Sequence, residues 1–255
     1  MLAPFFRPIA IYLTFKFTSM KRSVRFIRPL AAVLVTALLF TACVKSDNND
    51  YLNQPAAGLM AFNLAPDKPA AGFTLSGNSL GNTAINYTGY TGVYLPIYLG
   101  NREVRSFDYF TGNTLAIANA DFADSMYYSA FLIGANGDYR NIVVKDELAP
   151  LTVVPGKAWI RYINAIPDST TSPVVTIGEA GINEPAPYAG VSSFVQASAG
   201  SVTIDVNNGS SISASRVITI EENKVYTVLF IGIPNSTDPD KVVQIKFIQN
   251  GTVTP

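Results

Sequence analysis

The sequence predicts an all-β protein: two tandem antiparallel β-sandwich domains behind a cleavable leader. Three observations lead there. Apolar and polar residues alternate with period two, turn-forming residues recur about every 8–12 positions, and the two halves of the chain beyond residue 56 can be laid over one another. No sustained 3.6-residue apolar period follows Cys43.

Alternation is clearest in Ser201-Val202-Thr203-Ile204-Asp205-Val206. There Val202, Ile204 and Val206 fall on one face, and Thr203 and Asp205 on the other. Val243, Ile245 and Phe247 alternate in the same way with Gln244 and Lys246. Such strands keep one face in a core and one in water. The run 225–231 has no such alternation, so it is expected as a central strand covered on both sides. Trp159-Ile160-Arg161-Tyr162-Ile163 opens the second half as a strand. Turns are expected at Ile166-Pro167-Asp168, Ala199-Gly200, Asn207-Asn208-Gly209 and Glu221-Glu222-Asn223. In the first half, segments 93–99, 102–109, 115–120, 126–134 and 141–145 take the same roles.

The duplication keeps its order. Asn63-Leu64-Ala65-Pro66-Asp67 matches Asn164-Ala165-Ile166-Pro167-Asp168, and Tyr87-Thr88-Gly89 matches Tyr188-Ala189-Gly190. Gly100 meets Gly200, and the strand ending Ile133-Gly134 meets the one ending Ile231-Gly232. One difference stands out: Met60 occupies the place of Arg161. The expected domains are 57–148 and 157–255, joined by a linker, 149–156, that two prolines stiffen.

The first 42 residues read as a signal peptide, with Met20 expected as the translation start. Lys21-Arg22 and Arg25 to Arg28 supply the positive end, and the apolar run 30–42 is too short to span a bilayer, which needs about 20 residues. Phe40-Thr41-Ala42-Cys43 resembles the lipobox of bacterial lipoproteins, which implies that Cys43 carries the lipid. Residues 43–56 form a polar tether unable to build a core. The expected location is the outer membrane, held by the lipid. Which face of that membrane the protein occupies stays open.

Charge follows the same division. The chain has 18 basic and 18 acidic residues, but six basic residues precede Cys43 and every acidic one follows it. The remainder is acidic, with no basic run, which argues against nucleic acid as a partner. There is no histidine and no second cysteine, so the commonest general base, the commonest metal ligand and disulfides are all missing. Neighbours on a strand point to opposite faces, so Asp146-Glu147 and Glu221-Glu222 are not carboxylate dyads. Asp238-Pro239-Asp240 and the pair Asp47 and Asp50 lack the ligand spacing of a calcium loop. No catalytic residue, metal or cofactor is expected.

Binding is the remaining chemistry. Tyr90, Tyr94 and Tyr98 share parity, so an unbroken strand would present all three on one face, as a row able to stack on sugars or anchor a protein. Asp124-Ser125-Met126 and Asp168-Ser169-Thr170 resemble the acid-hydroxyl-apolar O-glycosylation sites of secreted Bacteroidetes proteins, which makes Ser125 and Ser169 candidates.

The second half carries a family pattern. The strand Ile160-Arg161-Tyr162-Ile163-Asn164-Ala165-Ile166-Pro167-Asp168, then Tyr188-Ala189-Gly190-Val191-Ser192, then Ala199-Gly200-Ser201-Val202-Thr203-Ile204, then Tyr226-Thr227-Val228-Leu229-Phe230, resembles the bacterial domain of unknown function 4397. The resemblance implies small immunoglobulin-like sandwiches, often in tandem on Bacteroidetes lipoproteins, and supplies no catalytic residue. The expectation is therefore a non-enzymatic binding or spacer module, its partner a glycan or an envelope protein besides the membrane. The alternative is a periplasmic assembly component that makes contacts through strand edges.

Overall fold

The computed structural model describes residues 56–167 and 171–254. The leader, Cys43, the tether up to residue 55, and Ser169 lie outside the described residues.

The first half is built from β1 (Ala57–Asn63), β2 (Ala70–Leu75), β3 (Asn78–Ser79), β4 (Ile85–Asn86), β5 (Leu95–Ile97), β6 (Gly100–Asp108), β7 (Thr114–Phe122), β8 (Tyr127–Ala135) and β9 (Asp138–Asp146). The second is built from β10 (Lys157–Asn164), β11 (Val174–Ile177), β12 (Ile182–Pro185), β13 (Val195–Ser198), β14 (Gly200–Asn207), β15 (Ser213–Ile220), β16 (Lys224–Ile231) and β17 (Gln244–Thr252), with a 3₁₀ turn at Gly178–Ala180. Each half stacks two sheets. Order β5-β1-β8-β9 packs on β3-β2-β6-β7, with β4 also on β2. Order β13-β10-β16-β17 packs on β12-β11-β14-β15.

The all-β tandem organisation is as the alternation predicts. One pair in each half is parallel, however: β1 with β8 (Gly58 opposite Tyr127) and β10 with β16 (Trp159 opposite Val225). A parallel pair needs a long crossover. Here the intervening strands of the opposite sheet provide it, which a local turn rhythm does not reveal. The hairpin β8–β9 is tighter. Its loop is Asn136-Gly137, both at positive φ, the pairing that two-residue loops favour.

Both shared motifs turn out to be fastenings. Asn63 is fully buried, and its amide donates to the carbonyls of Lys68 (2.9 Å) and Ile85 (3.1 Å) while accepting from Ala65 N–H (3.2 Å). Asn164 repeats this with Ala186 (2.8 Å) and Ile166 (3.1 Å). The Tyr-x-Gly turn then docks on the same asparagine. Gly89 O accepts from Asn63 N–H at 3.1 Å, and Gly190 O accepts from Asn164 N–H at 3.0 Å.

Among the described residues, three apolar clusters hold the fold. Leu59, Phe73, Val104, Phe122 and Leu132 centre the first sandwich. Ile160, Ile177, Val202, Ile204 and Phe230 centre the second. The third lies between the sandwiches, where Met60, Phe62, Phe131 and Ile133 meet Ile163, Leu229 and Ile231. It explains why β8 and β16 are buried along both faces. Alternate residues face the home core, and the others face the partner sandwich. Burying one such side chain contributes about 1.5–3 kcal/mol, so the seam is a second core for each half.

Candidate functional site

Among the described residues, buried polar side chains from both halves gather into one cluster within this seam. Strand pairing sets Met60 beside Ser129 in the first half and Arg161 beside Thr227 in the second. Asp146 ends β9 as Asn250 lies near the end of β17. Arg161 reaches across the seam: its Nη1 lies 2.7 Å from Asp146 Oδ1, with side chains 3% and 0% exposed. Its Nη2 donates to Ser129 Oγ (3.0 Å) and its Nε to Thr227 Oγ1 (3.0 Å). Ser129 and Tyr94 both donate to Asp146 Oδ2, at 2.7 and 2.6 Å. Thr227 donates to Asn250 Oδ1 (2.6 Å), and Asn250 Nδ2 donates to the Tyr94 hydroxyl (3.3 Å), which closes the ring. Burial pushes the Tyr94 phenol well above its ordinary pKa, and the Asp146 charge adds to the shift. The hydroxyl therefore stays protonated and remains a donor.

Above this network a cleft of about 460 Å³ opens along the seam. Its walls are Val144 of β9, Pro150 and Leu151 of the linker, and Trp159 and Phe194 of the second half. Trp159 lies on the seam face of β10 with Arg161. Its indole N–H donates to Thr152 O at 3.1 Å, which fixes the ring and ties the linker to β10. The Phe194 ring lies 4.4 Å from the Arg161 guanidinium carbon. The rim carries a second balanced pair, Lys145 with Glu147 at 3.1 Å. Every charge in the cleft is thus neutralised by a neighbour, and aromatic and apolar surface is left for a ligand.

The family follows from the same sequence that folds this way. A family model described as a domain of unknown function (DUF4397) matches residues 57–171 and again 158–245. The chain belongs to the DUF4397 family. Among solved structures, the Bacillus anthracis TIE protein is similar at 14% identity and a TM-score of 0.23, over 71% of this chain and 34% of that one. This DUF4397 chain thus spans about a third of the length of that protein. A search of curated proteins found no match.

The tyrosine row expected from parity does not form in this DUF4397 chain. The backbone bends at 92–93, and β5 spans only Leu95–Ile97. Half-buried Tyr90 stacks on Phe62 (centroids 5.4 Å apart, planes 14° apart) in the seam. Tyr94 belongs to the polar ring, and its own ring meets Tyr127 edge-on at 4.9 Å. Tyr98 alone faces solvent, at 65% exposure. Ser125 is exposed in the β7–β8 turn, with φ of 59°. Among the described residues, no group of three acidic, histidine or cysteine side chains gathers as a metal site. Nothing in the sequence marks Trp159, Phe194 or Asp146 as site residues. The one signal was Arg161 standing where the first half has Met60.

Proposed function

We propose that this chain is a non-enzymatic binding module, carried on the bacterial outer membrane by a lipid on Cys43, and that the seam cleft takes a carbohydrate ligand. The supporting observation is the pairing of two fixed aromatic side chains, Trp159 and Phe194, with charges that cancel within the cleft. An aromatic face binds the apolar side of a sugar ring, and a neutral surround favours an uncharged saccharide. Catalysis has little support in the cleft. Its buried carboxylate, Asp146, is committed to Arg161, and the chain has no histidine.

A glycan array with the full chain tests the ligand. We expect signal from neutral saccharides and at least a tenfold loss of affinity in Trp159→Ala, with the β-sheet circular dichroism unchanged. A silent array, or equal binding by Trp159→Ala, refutes the carbohydrate reading. The anchor is tested separately. Cys43→Ser is expected to move the protein from the membrane fraction to the soluble fraction and to remove a lipid mass from the mature N-terminus.

A further inference from the structure

The first sandwich is open along its β5 edge. Between β5 and the β2–β3 hairpin lies an apolar cavity of about 250 Å³, walled by Leu75, Leu80, Leu95 and Ile97, with Tyr98 and Arg102 also lining it. The second sandwich is closed at the equivalent place. There the chain after β11 makes the 3₁₀ turn Gly178–Ala180 beside β13, and Ala180 packs on the core.

Strands β6 and β14 begin at equivalent glycines, Gly100 opposite Phe122 and Gly200 opposite Ile220. Counted from these, the core-facing positions are 102, 104 and 106 in one half and 202, 204 and 206 in the other. Val202, Ile204, Val206, Val104 and Ser106 are fully buried. Arg102 is the exception, a cation on a core-facing position. Its Nε donates to Leu99 O at 3.0 Å, and its guanidinium carbon lies 6.0 Å from the centre of the exposed Tyr98 ring. It makes no ion pair among the described residues, and no carboxylate lines the cavity.

Arg102 is half-buried, and partial burial of a charge costs stability to the extent that neither a partner nor water compensates it. The other half shows the cheaper solution, a valine. The first half keeps both the hole and the cation.

We propose that this cavity binds an amphipathic anion: one alkyl chain in the apolar hole, with its anionic head on Arg102. A pocket of about 250 Å³ suits a single short chain rather than a two-tailed lipid. This site is separate from the seam cleft, and it stands whether or not that cleft binds sugar.

Calorimetric titration of the full chain with decanoate and with decyl phosphate tests the proposal. One of the two is expected to bind at a single site, and the tighter one identifies the head as carboxylate or phosphate. Octanoate, or octyl phosphate if phosphate is preferred, is expected to bind roughly tenfold more weakly through two lost methylenes. 1-Decanol is expected to bind at least tenfold more weakly than the preferred anion. Arg102→Gln should reduce the anion to the affinity of decanol. Arg102→Val, which installs the residue of the second half, should do the same with a melting temperature at or above that of the parent. Leu95→Trp should fill the hole and abolish both, and Trp159→Ala should change nothing. Failure of both anions to bind, or anion affinity unchanged by both Arg102 variants, overturns the proposal.

Discussion

Arg161→Met is expected to destabilise the folded chain by about 3–5 kcal/mol, and adding Asp146→Asn is expected to return most of that loss. The single substitution leaves the Asp146 carboxylate, 0% exposed, beside an apolar side chain. An unpaired buried charge costs far more than a pair contributes, because desolvation is no longer offset. The replacements are not arbitrary. Methionine is what the first half carries at this position, as Met60, and asparagine is what the second half carries near the end of its last strand, as Asn250. The double variant therefore gives the two sides of the seam the same residues at these positions. Urea midpoints of the four chains, converted with a common slope, give the coupling directly. Purely additive losses would show that the ion pair is not the coupling element.

The same residues explain how the halves choose one another. Two copies of the first half would set Asp146 against Met60, and two copies of the second would set Arg161 against Asn250. Either arrangement buries a charge without its counter-charge, and only the mixed pairing neutralises both. A duplicated sequence would otherwise present self-complementary faces, which invite symmetric association between chains. The divergence at 60/161 and 146/250 acts against that.

Much of the fold was legible in the sequence, and the reason is local. Alternation at 201–206 reports which face is wet, and the missing alternation at 225–231 reports a strand covered twice. At 243–247 it misleads: the face of Gln244 and Lys246, expected in water, is half-buried and turns toward the seam, where Ile248 and Asn250 follow on the same face. What covered the strand at 225–231 was not legible, because contacts between sheets leave no period along the chain. The tyrosine row failed for a related reason. Parity holds only along an unbroken strand, and the bend at 92–93 separates Tyr90 from Tyr94 and Tyr98. Arg102 could have been found: continuing the duplication two residues past Gly100 and Gly200 sets arginine against a buried valine. The seam network could be glimpsed only in the mismatch of Met60 with Arg161, since Asp146 looks like any acidic strand end.

Gly134→Ala is expected to cost on the order of 3 kcal/mol or more, and Gly232→Ala the same. These glycines close equivalent strand ends, with φ of 108° and 109°. A side chain there suffers twice. The backbone conformation alone costs about 1–3 kcal/mol for a residue with a Cβ. The added carbon would also overlap backbone, the carbonyl oxygen of Asp138 in one case and of Val242 in the other. Displacing packed backbone typically costs about 1–3 kcal/mol more. Gly100→Ala separates the two contributions. Its φ is 87°, but a Cβ there meets nothing within 4 Å, so only the conformational part, about 1–3 kcal/mol, is expected. The experiment also reads the seam. Trp159 is the only tryptophan, and it lies in the second half, 25 positions beyond Gly134. If the shared apolar cluster makes the two sandwiches one cooperative unit, Gly134→Ala moves the Trp159 fluorescence transition as far as the circular dichroism transition. A fluorescence midpoint unmoved by Gly134→Ala would mean that the halves unfold separately, and the seam would then contribute far less than its buried phenylalanines and isoleucines imply.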